Sequence, residues 1–95
     1  MNDFADALDT AVITTKYVVR QRSSILFVFH YEDGCWQFSG IEEDLPDEDF
    51  MVLGLGEIIE LDPSVRHLAH LPLGASASRK NKQSEWVIAP LSDAC

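Results

Sequence analysis

From Ser23 to Val65 the chain contains neither lysine nor arginine. Nucleic acid is a poor ligand for such a protein, because phosphate binding needs clustered basic side chains. An anionic membrane surface is disfavoured for the same reason. Cysteine is nearly as scarce. Cys35 and Cys95 stand alone, with no Cys-x-x-Cys pair, so neither a disulfide framework nor a zinc knuckle is indicated. No apolar run approaches the ~20 residues that a membrane helix needs. The opening Met1-Asn2-Asp3-Phe4-Ala5-Asp6 lacks the basic region and apolar stretch of a signal peptide. A soluble, cytoplasmic protein in a reducing compartment is the expectation.

Acid is abundant. Sixteen carboxylates oppose seven basic side chains, for a net charge of −9. Eleven of the sixteen (Glu32, Asp33, Glu42, Glu43, Asp44, Asp47, Glu48, Asp49, Glu57, Glu60 and Asp62) fall in the stretch without basic residues. The densest cluster is Glu42-Glu43-Asp44-Leu45-Pro46-Asp47-Glu48-Asp49. Charge concentrated in this way makes a local field that steers a basic partner. Leu45, Pro46 and the flanking Phe50 add apolar anchors, and anchors supply the affinity that charge alone does not. The expected partner-binding residues are therefore Glu42, Glu43, Asp44, Asp47, Glu48, Asp49 and Phe50. The cluster lacks the Asp-x-Asp-x-Asp-Gly spacing of a calcium loop, so no metal and no other cofactor is expected. Solvated surface charge that keeps the chain dispersed is the plainer alternative.

At 95 residues the chain makes one small domain, with a core spanning residues 12–90 and little room for a deep cavity. Apolar residues are 46% of it, too many for disorder. Residues 3–9 read as a short amphipathic helix or a tail. Val12 to Arg20 is rich in β-branched and aromatic types and reads as strand. Ile25–Tyr31 and Cys35–Ser39 form a hairpin about the turn dipeptide Asp33-Gly34. Alternation puts Trp36 and Phe38 on one side, toward the core. Residues 41–50 are a surface connection. Met51–Leu53 is a short strand, and Leu55, Ile58, Ile59 and Leu61 mark a helical stripe. Asp62 caps a second helix that starts at Pro63, with Val65, Leu68 and Ala69 inward. Residues 75–79 and 85–89 are closing strands around a polar turn, the last stopped by Pro90. The order gives an α+β fold, a small antiparallel sheet built from hairpins with one or two short helices packed on it.

Chemistry beyond binding has few footholds. His67 and His70 share a helix face at i, i+3, and a zinc site needs further ligands, which only a convergence of His30 or Cys35 would provide. Cys35 can meet His30 across the hairpin, but a small core cysteine beside Trp36 is the simpler expectation. None of the eight serines, at 23, 24, 39, 64, 76, 78, 84 and 92, lies in a Gly-x-Ser-x-Gly context. Gly54-Leu55-Gly56 has no third glycine to complete a phosphate cradle. Trp36 and Trp86, both on return strands, read as paired core aromatics, and as binding hot spots if exposed.

Taken together, Ile25-Leu26-Phe27-Val28-Phe29, Gly34-Cys35-Trp36-Gln37-Phe38-Ser39-Gly40 and the acidic connection resemble a bacterial family of small domains grouped with predicted immunity proteins of polymorphic toxin systems, immunity protein thirty-three. The resemblance continues through Leu55-Gly56-Glu57-Ile58-Ile59, Asp62-Pro63-Ser64, Leu71-Pro72-Leu73-Gly74-Ala75, Arg79 and Trp86. These are packing and turn residues, none of them catalytic. The compact Asp33-Gly34 turn departs from the family pattern of longer acidic insertions. The resemblance implies an α+β fold and a non-enzymatic binding role.

The expectation is a protein-binding domain, an immunity-type inhibitor that occludes a basic toxin or effector as a monomer or homodimer. One alternative is a self-associating structural domain. The other is a small metal- or cysteine-dependent enzyme using His30, Cys35, His67 and His70.

Overall fold

A computed structural model describes residue 4, residues 7–42 and residues 44–90. Six strands form one sheet: β1 Ala11–Thr15, β2 Phe27–His30, β3 Trp36–Ser39, β4 Phe50–Gly54, β5 Ala75–Ser78 and β6 Val87–Pro90. Two short α-helices, α1 Lys16–Arg20 and α2 Leu55–Leu61, and a 3₁₀ helix, Pro63–Leu68, accompany it. The strand order is β4-β1-β3-β2-β5-β6. All neighbours are antiparallel except β1 and β3, which run parallel with Ile13 opposite Gln37. The expected α+β fold is present, with a mixed sheet in place of a wholly antiparallel one. The Thr14 hydroxyl reinforces the parallel contact by donating to the Phe38 carbonyl at 2.8 Å.

Register explains the two faces of the sheet. Val12 opposes Leu53, and Val28 opposes both Phe38 and Ala77. These residues share a face with Trp36, and on it Leu55 and Ile58 of α2 join Val65 and Leu68 of the 3₁₀ helix in the core. Each large side chain buried there contributes about 1.5–3 kcal/mol. Phe4 closes one end, edge-on to Trp36 at 5.2 Å. The rest of the segment expected as a short helix or tail, residues 3–9, lies partly outside the described residues. The opposite face carries Ile13, Val52, Gln37, Phe29 and Ser76 by the same pairings, whereas the buried hydrophobic residues of α1, α2 and Pro63–Leu68 belong to the core.

The strand expected over residues 12–20 stops at Thr15. Its side chain accepts from the Val18 N–H at 3.2 Å and caps α1. That cap, with Val18 buried at 2% exposure, overrides the β preference of Val18 and Val19. The hairpin turn is as read, with a three-residue loop. The Gly34 N–H donates to Tyr31 O and the Tyr31 N–H to Cys35 O, and Gly34 takes φ +96°, the glycine position of a bulged turn. Asp62 caps the second helix as expected, accepting from the Ser64 N–H at 3.1 Å, though the helix is 3₁₀. Pro90 falls inside β6, an edge strand where a missing N–H is tolerated.

One buried ion pair ties these parts together. Arg79 follows β5 and donates from Nη2 to Asp62 Oδ2 at 2.8 Å, from Nε to Ile25 O at 3.0 Å and from Nη1 to Ser64 Oγ at 3.0 Å. Its guanidinium lies 4.1 Å from the Trp86 ring centroid.

Candidate partner-binding face

The acidic loop divides into two parts. Asp49 is buried. It pairs with Lys16 Nζ at 3.0 Å and accepts from the Tyr17 hydroxyl at 3.3 Å. The hydrogen bond from Lys16 to Asp49, then the charge of that carboxylate, raises the lysine pKa above its ordinary value. Glu42 is half-buried and its Oε2 accepts from Ser23 Oγ at 3.3 Å. These two residues hold the loop rather than present it. Asp44, Asp47 and Glu48 are exposed. Asp44 adopts φ +55°, a left-handed conformation that aspartate tolerates better than most residues. Pro46 leads into a single 3₁₀ turn, Asp47–Asp49, closed by the Asp49 N–H on Pro46 O at 3.0 Å. Phe50 begins β4 opposite Thr15. Glu43 lies outside the described residues.

The loop borders the open face of the sheet. A cleft of about 250 Å³ is lined by Phe27, Phe29, Gln37, Ser39, Gly40, Glu42, Asp44, Leu45 and Phe50. A second hollow, of about 370 Å³, adjoins it through Gln37 and Phe50 and is lined also by Ile13, Asp47, Met51 and Val52. Across the floor, the Tyr31 hydroxyl donates to Gln37 Oε1 at 3.0 Å and Gln37 Nε2 to Ser39 Oγ at 3.0 Å. Tyr31 stacks on Phe29 with centroids 6.0 Å apart. Its partial burial, with help from the charges of Asp33 and Cys35, raises its pKa. A larger hollow of about 740 Å³ near Leu8, Glu57 and Arg66 includes no residue of the acidic loop. The smaller cleft is the better candidate, because there aromatic walls and carboxylates meet.

The titratable residues weighed for catalysis do not converge. His30 stacks on Trp36 at 3.7 Å, with Nδ1 2.7 Å from Leu71 O, so that nitrogen carries the proton. His67 and His70 are exposed. Among the described residues no group of three or more His, Cys, Asp and Glu is arranged to hold a metal ion. Cys35, expected in the core, is instead exposed. Trp36 points into the core, so the two-residue period turns Cys35 the other way, and its backbone partner is Tyr31, not His30. Among the described residues the two tryptophans make different ring contacts. Trp36 stacks with His30 and Phe38, while Trp86 covers Arg79 at the edge of the core. Phe27, Phe29 and Gln37 are the site residues missed from sequence. The signal was available, since a buried Val28 sends both of its neighbours to the opposite face.

No family model matches the chain, and neither a curated protein nor a solved structure matches it. Among the described residues no helix is long and apolar enough to cross a membrane.

Proposed function

We propose that this chain is a non-enzymatic protein-binding domain that holds a basic partner against the open face of its sheet. One observation carries the reading: Asp44, on the exposed acidic loop, lines the same cleft as Phe27, Phe29 and Phe50. Charge there steers and orients, while the aromatic and apolar walls supply affinity. The role of an immunity-type inhibitor, occluding a basic toxin or effector, draws on the resemblance of the strand and turn motifs. The reading puts the protein in a reducing cytoplasm, where the exposed Cys35 thiol stays unpaired.

The test is capture of partners from the native host at low salt, followed by elution in a salt gradient. A single basic protein should be retained by the native chain and lost by the Asp44→Asn/Asp47→Asn/Glu48→Gln variant. Equal retention by both would sink the proposal. A second reading, self-association, is favoured by the edge strand β6, where Val87 and Ile88 are 64% and 53% exposed. Sedimentation of native and Val87→Lys chains distinguishes it. A dimer abolished by the lysine supports that reading, and a monomer in both removes it.

A further inference from the structure

We propose that the cleft beneath the acidic loop receives one cationic side chain of the partner, an arginine or a lysine, as a buried anchor. The inference rests on the reading of this face as a partner site and names what enters it. The walls are the rings of Phe27, Phe29 and Phe50, with Leu45 beside them. Aromatic faces attract a guanidinium or ammonium, and the apolar lining suits the methylene stem of such a side chain. Glu42 and Asp44 bring carboxylates to the same cleft. Glu42 has one oxygen, Oε2, on Ser23. Its other oxygen, Oε1, is sealed from solvent and has no hydrogen-bond partner among the described residues. Oε1 lies against Gly40, where an added Cβ would come within 2.8 Å of it, so the Glu42 carboxylate acts on an entering cation through its charge, and the exposed Asp44 is the carboxylate left to accept from an N–H donor. The cleft, at about 250 Å³, accommodates one long side chain and not a folded element. A neutral apolar side chain would fit the walls and leave the carboxylates unanswered.

The experiment is an NMR titration of the full chain with N-acetyl-arginine methylamide, N-acetyl-lysine methylamide and, as a neutral control, N-acetyl-norleucine methylamide. Saturable shifts confined to Phe27, Phe29, Gly40 and Phe50 with either cationic probe, and absent with norleucine, support the proposal. The arginine and lysine arms show which side chain is preferred. Glu42→Gln should weaken the cationic probe roughly tenfold, the scale of removing one opposite charge beside the cleft. Phe29→Leu should weaken it without moving signals outside the cleft. Asp47→Asn/Glu48→Gln should leave probe affinity within about twofold, since these rim charges act through solvent. Absent or unsaturable shifts, or norleucine binding as well as the cations, would overturn the proposal. A basic protein partner that binds the rim and is indifferent to Glu42→Gln overturns the anchor but leaves the partner face standing. Loss of all binding to the native face removes both.

Discussion

Asp62 and Arg79 show what a single residue contributes here. Both side chains are almost wholly enclosed, and the pair links β5, the 3₁₀ helix and the segment before β2. Removing one partner leaves a buried charge alone, which costs about 3–5 kcal/mol. Asp62→Ala should therefore shift the urea midpoint sharply downward, since that cost is a large share of the roughly 5–15 kcal/mol that stabilises a typical domain. Lys16 and Tyr31 make the alkaline prediction. Both have folded-state pKa values raised above their ordinary 10.5 and 10.0. The unfolded chain therefore releases these protons first. Their contribution is intact below about pH 10 and is lost as pH climbs through the folded values. Urea midpoints measured at stepped alkaline pH should fall, and Tyr31→Phe should flatten part of that fall. Sequence gave Asp62 its role as a cap but not its ion pair, because a cap is local and Arg79 is seventeen positions away. It gave the acidic loop its sign but not its division, because the burial of Asp49 depends on Lys16 and Tyr17 arriving from another element.

At the scale of elements, local chemistry was readable and pairing was not. The hairpin turn, β4, α2, the start of the 3₁₀ helix and β5 all follow from turn residues, caps and apolar spacing. The failure lay at Thr15, where one hydroxyl converts a strand into a helix. Thr15→Ala should cost about 0.5–2 kcal/mol. It should also loosen the acidic loop, since α1 carries Lys16 to Asp49. Thermal unfolding reads the first effect, and amide hydrogen exchange over residues 44–49 reads the second. The parallel β1–β3 contact was invisible because nothing in either segment encodes a distant neighbour. Cys35 was misplaced for a different reason. Composition suggested a buried thiol, and the alternation of its own strand, set by Trp36, argued otherwise.

The whole molecule presents two unlike faces. One is closed by helices over Val28, Trp36 and Phe38. The other displays aromatic side chains bordered by Asp44, Asp47 and Glu48. A field from clustered like charges acts over about 8 Å at physiological salt and further in dilute buffer. The association rate with a basic partner should therefore fall steeply as ionic strength rises. Stopped-flow mixing at several salt concentrations measures the slope. Neutralising Asp44, Asp47 and Glu48 should flatten it, while the dissociation rate changes less.

The position of β1 has a consequence for how the protein comes to be folded. It precedes every other strand in the chain yet lies inside the sheet, between β3 and β4. Its first neighbour, β3, exists only once the chain has been made through Ser39, and its second, β4, only through Gly54, so β1 waits unpaired while the intervening segments are synthesised. Closure of the sheet is a late, long-range event, of the kind that slows folding relative to local hairpins. The β2–β3 hairpin can form early, and it then offers the edge on which β1 docks before β4 seals the other side.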